Sequence, residues 1–235
     1  MPKLSIVMPV FNEEENIPKV IDKYLKIKKS MDIEVIFVED GGSKDKTREV
    51  LKKYSKKYKF IKPIFINEKG YGISLYKGFK SAKSEFICWT HADLQTDPAD
   101  TIKALELIRK QKNPKNSYIK GKRYGRAFFD TFFTFGMSIF ETIILKKFMY
   151  DINAQPNLIH KSFLKLMKRP PKDFSFDLYT YYLAKKENYN LIRFPVYFGR
   201  RIHGQSAWNV DFNSKLKFIK RTIDFTFKLK RLLKG

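Results

Sequence analysis

The sequence predicts an α/β domain in which a mainly parallel sheet is flanked by helices. Short apolar runs alternate with amphipathic helical patterns along the first half of the chain. This alternation is typical of successive β-α-β units, whose strands lie parallel. Several of these runs are followed at once by glycines and polar residues. Turn and ligand-binding residues occupy that position, at the carboxyl ends of strands, in open α/β sheets.

The regular elements are predicted in the first half of the chain. Each proposed strand is a short apolar run bounded by turn residues, which indicates a strand buried on both faces; these runs are 4–10, 33–38, 60–66 and 85–90. The first helix is predicted to start at Asn12 or Glu13, and the second to end at Lys57. A third covers 70–83, and a fourth begins near Pro98, where a first-turn proline is tolerated.

The second half has a weaker pattern. Strands are predicted at 117–121 and 191–198, and a helix at 177–186. The run 127–150 is apolar and aromatic, but charged residues interrupt it. A membrane-spanning helix needs about 20 mostly apolar residues in a row. We therefore interpret this run as two helices lying in a membrane interface. Residues 211–235 are predicted to form a basic amphipathic C-terminal helix after a domain at 1–210.

The charge balance predicts anionic partners. The 235 residues contain 48 Lys and Arg against 24 Asp and Glu, a formal net charge of +24. Nucleic acid, anionic lipid and phosphorylated substrates all remain open on this basis. The single cysteine excludes a disulfide framework and fits a reducing compartment. The first residues do not resemble a targeting segment, so a cytoplasmic chain is expected.

Polar clusters follow three of the predicted strands, at 9–14, 39–45 and 91–95. Strand ends of a parallel sheet meet at one edge, so these clusters are expected to converge on one crevice. Asp93 and Gln95 offer hard oxygen ligands, which suit Mg²⁺ or Mn²⁺ when a diphosphate supplies further oxygens. The alternative is purely structural: such residues also end strands and cap helices, and Asp93 would then cap the helix near Pro98.

Five segments, in order along the chain, resemble family 2 glycosyltransferases. The first two resemble the opening strand and the second-strand turn of that family, and the others resemble its dolichyl-phosphate mannose synthase-like branch; the segments are 4–17, 38–47, 93–98, 121–123 and 201–206. The resemblance implies the GT-A nucleotide-sugar transferase fold over 1–210. It also implies transfer from a nucleoside-diphosphate sugar with inversion at the sugar carbon.

The resemblance also implies the site. Asp93, Arg201 and Arg123 would be catalytic, with Asp93 and Gln95 holding Mg²⁺ or Mn²⁺, Arg201 pairing with the diphosphate and Arg123 meeting a phosphate on the acceptor. The implied substrate-binding set adds residues of the three strand ends: Pro9, Phe11 and Glu13 at the nucleotide, Asp40 at its base, and His91 and Ala92 beside the metal motif. His91 replaces an Asp common in the family, Gly41 replaces another, and 151–157 departs from the family's acceptor segment.

A lipid-linked acceptor, polyprenyl phosphate, is the favoured expectation, in glycan or cell-envelope polysaccharide synthesis. A phosphate acceptor is anionic and needs no general base, whereas a saccharide hydroxyl, the alternative acceptor, needs Asp151 or Asp177 as a base. The basic C-terminal helix and the aromatic run predict an anionic membrane surface as partner and a peripheral location at its inner face. The alternative from another class is a basic nucleic-acid-binding protein. Acidic clusters at the strand ends and the lack of a recognition motif argue against a nucleic-acid partner.

Overall fold

The computed structural model describes residues 1–201 and 212–232, without the side chains of 128–130, 212–218 and 232. A seven-stranded sheet has the order β3-β2-β1-β4-β6-β5-β7. Its strands are Leu4–Val10 (β1), Ile33–Glu39 (β2), Ile61–Phe65 (β3), Phe86–Trp89 (β4), Ser117–Tyr124 (β5), Asn157–His160 (β6) and Asn190–Tyr197 (β7). Neighbouring strands pair in parallel except at β6, which is antiparallel to both β4 and β5. The prediction of a mainly parallel α/β sheet is confirmed.

Helices flank the sheet at Asn16–Lys28 (α1), Thr47–Lys57 (α2), Tyr71–Ser81 (α3), Ala99–Arg109 (α4), Phe128–Leu145 (α5), Phe176–Lys186 (α6) and Phe212–Leu232 (α7). Successive side chains of β1 point to opposite faces of the sheet, and their contacts show which helices cover each face. Ile6 and Met8 pack with α1 and α4 in one core cluster, whereas Val7 packs with α3 and α6 in a second. Both faces of the sheet are therefore covered, which explains why its strands are apolar runs.

α5 and α7 pack together beside this sandwich. Leu145, which ends α5, and Leu229 of α7 join Leu178 and Tyr181 of α6 in a third buried cluster. Phe140 and Phe227 meet edge to face, with ring centroids 6.4 Å apart. None of the helices in the described ranges combines the length and the apolarity that a membrane-crossing segment needs.

Four sequence predictions need correction. Helix α1 begins at Asn16 rather than at Asn12 or Glu13, because Asn12 adopts a left-handed φ of 53° and the chain turns before the helix starts. Strand β5 runs three residues beyond the predicted 117–121, to Tyr124, and pairs with β7 throughout. The run 127–150 forms one helix, Phe128–Leu145, rather than two, and Lys146 after it adopts a left-handed φ of 53°. Strand β6 was not predicted, because four residues give little periodicity and pairing to two neighbours stabilises them.

The remaining predicted elements agree to within a few residues. The basic C-terminal helix is present as α7, and its last predicted residues, 233–235, lie outside the described part of the chain. The predicted boundary between 210 and 211, and most of the motif at 201–206, also lie outside it.

Candidate functional site

The loops after β1 and β2 are tied to each other by side chains that capture backbone N–H groups. The Asn12 amide oxygen accepts from Lys44 N–H at 2.8 Å, and Thr47 Oγ1 accepts from Glu13 N–H at 2.8 Å. Asp45 accepts from Glu14 N–H at 3.1 Å, and Glu14 in turn accepts from Lys46 N–H at 2.8 Å. Because these N–H groups have fixed partners, the two loops form one rigid wall at the carboxyl end of the sheet.

Asp40 and Phe11 lie on that wall. The Asp40 carboxylate accepts from Gly42 N–H and from Gly70 N–H, each at 3.0 Å. A Cβ at Gly42 would lie 2.9 Å from the Asp40 carboxylate and 3.1 Å from the Phe11 ring, so a side chain there would displace one of them. Phe11 is half exposed, and two of its ring carbons lie beside this glycine. An exposed ring and a fixed carboxylate are the features that could bind a planar base.

Glu13, Asp93 and Arg201 form the charged centre of the site. Arg201 Nη2 lies 3.0 Å from Glu13 Oε1 and 3.2 Å from Asp93 Oδ2. The other Asp93 oxygen accepts from Gln95 N–H at 3.1 Å, across a left-handed Leu94 with φ 58°. Asp93 does not cap α4, because Asp97 accepts from Ala99 N–H there instead, at 2.9 Å. The capping explanation for Asp93 is therefore wrong.

Two buried carboxylates share one guanidinium in this centre. Burial raises the pKa of Glu13 to about 6, although the Asn16 hydrogen bond and the charge of Arg201 oppose the rise. The neighbouring Asp93 charge adds to it. When both carboxylates are ionised, they carry two negative charges against the one positive charge of Arg201, so a bound cation would be favoured here.

The segment after β7 crosses the site. Gly199 N–H donates to the Gln95 carbonyl at 2.8 Å, and the Gln95 side-chain amide donates to the Gly199 carbonyl at 3.1 Å. Phe198, one residue earlier, lies under the guanidinium groups of Arg123 and Arg126, at 5.2 and 5.8 Å from its ring centre. Phe198 is three residues before Arg201, and three residues span at most about 11 Å. The Arg123 region therefore lies close to the Asp93 centre.

Arg123 is held by Asp151. Its backbone N–H donates to Asp151 Oδ2 at 2.9 Å and its Nε donates to Oδ1 at 2.8 Å. Burial alone would raise the pKa of Asp151, but the charge and hydrogen bonds of Arg123 outweigh burial, and the pKa lies below its ordinary value. The pair lines a cavity of about 240 Å³ together with Arg126, Thr131, Thr134, Tyr150, Phe132 and Phe135.

His91 and Asp177 both contact Tyr71. The His91 ring faces Tyr71, with ring centroids 5.9 Å apart. The Asp177 carboxylate is buried and accepts from Trp89 Nε1 at 2.9 Å, from Tyr71 Oη at 3.0 Å and from Gln155 Nε2 at 3.1 Å. With these donors, Asp177 fixes the positions of Tyr71 and Gln155 within the core.

The network continues from Gln155 to a buried ammonium group. Asn157 donates to the Gln155 side-chain oxygen at 2.8 Å, and Lys120 Nζ donates to both Asn157 Oδ1 and the Ala154 carbonyl at 2.9 Å. Burial lowers the pKa of Lys120 to about 7. The segment 154–157 is thereby held against β5 from inside the protein.

The predicted site residues therefore fall into two groups. Glu13, Asp93 and Arg201 are in direct contact, Gln95 adjoins them, and Asp40 and Phe11 lie on the adjoining wall. Pro9 is partly buried on β1 and Ala92 is buried in the Asp93 loop. Arg123 is near this group but is bonded to Asp151 instead of to any of its members. Two neighbouring residues were not predicted. Arg126 could have been found from its position three residues after Arg123, whereas no feature of the sequence identifies Tyr71.

A family model and several relatives match the sequence of this chain. The model of the family described as Glycosyl transferase family 2 matches residues 5–170. A dolichyl-phosphate beta-glucosyltransferase of Trichomonas vaginalis is 35% identical over 118 residues, which cover 46% of this chain and 34% of that relative. A dolichol-phosphate mannosyltransferase of Pyrococcus furiosus is 25% identical over 210 residues, covering 87% of this chain and 58% of that relative. The chain thus spans between about a third and three fifths of these relatives' lengths.

A solved structure shows the same architecture. The glucosyl-3-phosphoglycerate synthase of Mycobacterium tuberculosis, crystallised with Mn²⁺, UDP-glucose and phosphoglyceric acid, has a TM-score of 0.74 and 12% identity. The likeness covers 97% of this chain and 80% of that one. At that identity it concerns the fold alone, and it confirms the predicted GT-A fold.

Proposed function

Because the chain belongs to glycosyl transferase family 2, we propose that it transfers a sugar from a nucleoside-diphosphate sugar to the phosphate of a lipid-linked acceptor, with inversion at the sugar carbon. The observation that carries the acceptor assignment is the cavity between β5 and α5. There, two arginines and two threonines adjoin the exposed side chains of Phe132 and Phe135. A polyprenyl phosphate combines the same two properties, an anionic head and an apolar chain.

On the donor side, Arg201 would exchange its two carboxylate partners for the diphosphate. A guanidinium keeps its charge and matches phosphate oxygens in a bidentate geometry, so it would stabilise the charge that develops on the leaving diphosphate. Phe11 would cover the nucleotide base, and Asp40 would accept a hydrogen bond from it. The solved structure of the same fold was crystallised with Mn²⁺ and UDP-glucose, which supports a nucleoside-diphosphate sugar as the donor class.

The residues present fit a hard divalent cation, Mg²⁺ or Mn²⁺. Asp93 and the Gln95 side-chain oxygen are the candidate ligands, and the surplus negative charge of Glu13 and Asp93 favours a cation. No group of three or more His, Cys, Asp or Glu side chains able to hold a metal occurs among the described residues, so the diphosphate would have to complete the shell. When bound, the ion would act as a Lewis acid that stabilises the leaving group.

The state of the two candidate bases supports a phosphate acceptor. Asp151 is engaged by Arg123, which holds its pKa low, and Asp177 already accepts hydrogen bonds from three side chains. A general base must reach the proton it removes. A saccharide hydroxyl would therefore find no ready base among these carboxylates, whereas an ionised phosphate would need none. The names of the two curated relatives, both dolichyl-phosphate transferases, point to the same acceptor class.

The outer surface supports docking at an anionic membrane. Along α5, Phe132 is 69% exposed, Phe135 53%, Ile139 45% and Ile143 67%. Spacings of three and four residues place these side chains, the α5 stripe, on one helix face. Lys228 and Arg231 are exposed on the adjacent α7. An apolar face beside basic residues suits insertion between anionic headgroups, which would make the protein peripheral at the inner face of the membrane.

The test is a transfer assay that varies donor and acceptor separately. A panel of UDP and GDP sugars is supplied with Mn²⁺ and with either polyprenyl phosphate or the matching polyprenol. We expect product only with the phosphate, and loss of product when the metal is chelated. Transfer to the polyprenol or to a free saccharide at an equal rate would refute the acceptor assignment. Metal-independent transfer would refute the cation.

A further inference from the structure

Four side chains form a continuous stack from the surface helix α7 to the Asp93 loop. The Arg221 guanidinium lies 5.2 Å from the centre of the Phe174 ring. Phe174 stacks on Tyr71, with centroids 4.8 Å apart and planes inclined by 17°. Tyr71 faces His91 at 5.9 Å, and His91 is two residues before Asp93. Elements far apart in the sequence thus meet at this one line of contacts.

The middle of the stack has little freedom to move. The Lys172 carbonyl accepts from Gly72 N–H at 2.8 Å and from Ile73 N–H at 3.1 Å, which fixes the segment before Phe174 on the first turn of α3. Gly70 has a φ of 144°, and a Cβ there would lie 2.3 Å from that carbonyl. Tyr71 is further held by the hydrogen bond of its hydroxyl to Asp177, at 3.0 Å. These contacts hold the Phe174 and Tyr71 rings against each other, so the orientation of the Tyr71 ring depends on the presence of the Phe174 ring.

The guanidinium of Arg221 is the charged group at the outer, α7 end of the stack. Arg221 lies over Phe174, and its Nε is 3.9 Å from Asp173 Oδ2, so both residues at 173–174 are attracted to α7. A guanidinium stacks on an aromatic face, and such a contact at a partly exposed site contributes roughly 0.5–1 kcal/mol. Lys220, the preceding residue, is exposed and carries the same charge. It provides a matched control on the same helix.

We infer that Arg221 and Phe174 are positioning residues for the donor-binding loop, and that they act through Tyr71 and His91. Without the Phe174 ring, the Tyr71 hydroxyl would stay bonded to Asp177, but the Tyr71 ring would lose its stacking partner. The rings of Tyr71 and His91 would then tilt, and the Asp93 loop would bind its donor less tightly. Chemistry at the sugar carbon would change little, because none of these contacts touches Arg201. The inference rests on the proposed donor site at Asp93.

The experiment measures the Kd of UDP or GDP, whichever the wild-type protein binds, by calorimetry with Mn²⁺. It also measures donor KM and kcat. Phe174→Leu keeps apolar volume but removes the ring, and should raise Kd and KM about fivefold with kcat within about twofold. Arg221→Ala should raise them about threefold. Phe174→Tyr keeps the stack and should restore wild-type values, and Lys220→Ala should leave them unchanged. Thermal melts check that every variant is folded.

Two outcomes would overturn the inference: equal Kd values for Arg221→Ala and Lys220→Ala, or equal values for Phe174→Leu and Phe174→Tyr. Asp93→Ala distinguishes this failure from a failure of the proposed function. If Asp93→Ala still binds nucleotide with wild-type affinity, the donor site itself is misassigned. If Asp93→Ala loses binding while the stack variants behave as their controls do, only the positioning role is wrong.

Discussion

The carboxyl edge of the sheet is lined by polar and charged side chains, whereas the α5–α7 side of the molecule exposes apolar side chains. At the edge, side chains of the loops after β1 and β2 fix backbone N–H groups, and Glu13, Asp93 and Arg201 form a half-buried charged cluster. On the α5–α7 side, phenylalanine and isoleucine side chains of α5 face outward, while Glu141 is buried between the helices. This difference indicates a polar ligand for the first region and an apolar environment for the second.

The ligands expected at the two regions are recognised in different ways. A diphosphate is bound by directional hydrogen bonds, so its site benefits from groups that are fixed in advance. An apolar surface is recognised through its area and needs no fixed geometry. Substitutions at the sheet edge should therefore change affinity and turnover steeply. Each substitution on α5 or α7 should have a smaller effect on membrane binding and on stability.

The largest effect is expected for Asp93→Ala, which removes a buried carboxylate from the charged centre. Nucleotide affinity in the presence of Mn²⁺ should fall by about 100-fold or more, because truncating one member of a buried charged group costs several kcal/mol. Calorimetry with UDP or GDP measures it. Asp97→Ala, in the same loop, should lose about 1 kcal/mol of stability through the lost α4 cap but keep nucleotide affinity. Unchanged affinity in a folded Asp93→Ala protein would exclude the metal assignment.

Arg201→Lys tests whether geometry or charge matters at the same centre. A lysine keeps the charge but cannot make a bidentate contact, so kcat/KM should fall by about 10- to 100-fold. Steady-state kinetics give the value. The matched control is Arg200→Lys, since Arg200 is exposed and adjacent. If both variants turn over at the wild-type rate, Arg201 has no role in holding the diphosphate.

Glu141 gives a pH test on the α5–α7 side. It is buried, with Thr226 Oγ1 at 2.8 Å from each of its oxygens, and burial raises its pKa from 4.5 to about 7. The folded protein therefore keeps a proton that the unfolded chain has released. The contribution to stability is complete below pH ~4.5 and is lost as pH rises through 7, with a total of about 2–3 kcal/mol.

Glu141→Gln cannot release this proton, so it should abolish that loss. The free energy of unfolding, measured with denaturant between pH 4.5 and 8, should rise by about 2 kcal/mol in the variant relative to wild type as pH rises. Glu106→Gln, at an exposed position on α4, is the control and should follow wild type. Parallel pH profiles for wild type and Glu141→Gln would show that Glu141 titrates as an exposed carboxylate does.

The smallest effect is expected on the α5 stripe. Serine at both Ile139 and Ile143 removes apolar surface without touching the cavity at Arg123, and should reduce salt-resistant pelleting with anionic vesicles about fivefold. The assay compares pelleting at 0.1 M and 1 M salt. Between these concentrations the Debye length falls from about 10 Å to about 3 Å, which removes the electrostatic part of membrane binding. Lys53→Ser on α2 is the control. Wild-type protein that ignores vesicles even at low salt would contradict membrane docking.

The sequence determined six of the seven strands, all but β6, and the edge of the sheet at which the candidate site lies. Apolar runs such as 4–10 and 33–38 are local signals, and the polar residues after them identify strand ends because all these strands run in one direction. The family motifs added the set of candidate residues. The exact start of α1 was not predictable, because it depends on contacts with a distant segment: the Asn12 side chain accepts from Lys44 N–H, and Glu13 N–H donates to Thr47 Oγ1.

Only the tertiary structure decided which side chains meet. Arg201 contacts Glu13 across 188 residues of sequence, and Phe174 joins α7 to Tyr71 through contacts that no motif records. The same holds for α5. Its periodicity tells which residues share a face, but the same pattern fits a face covered by other helices and a face left open. Burial depends on what the rest of the chain places against that face, and such long-range packing leaves no local signal in the sequence.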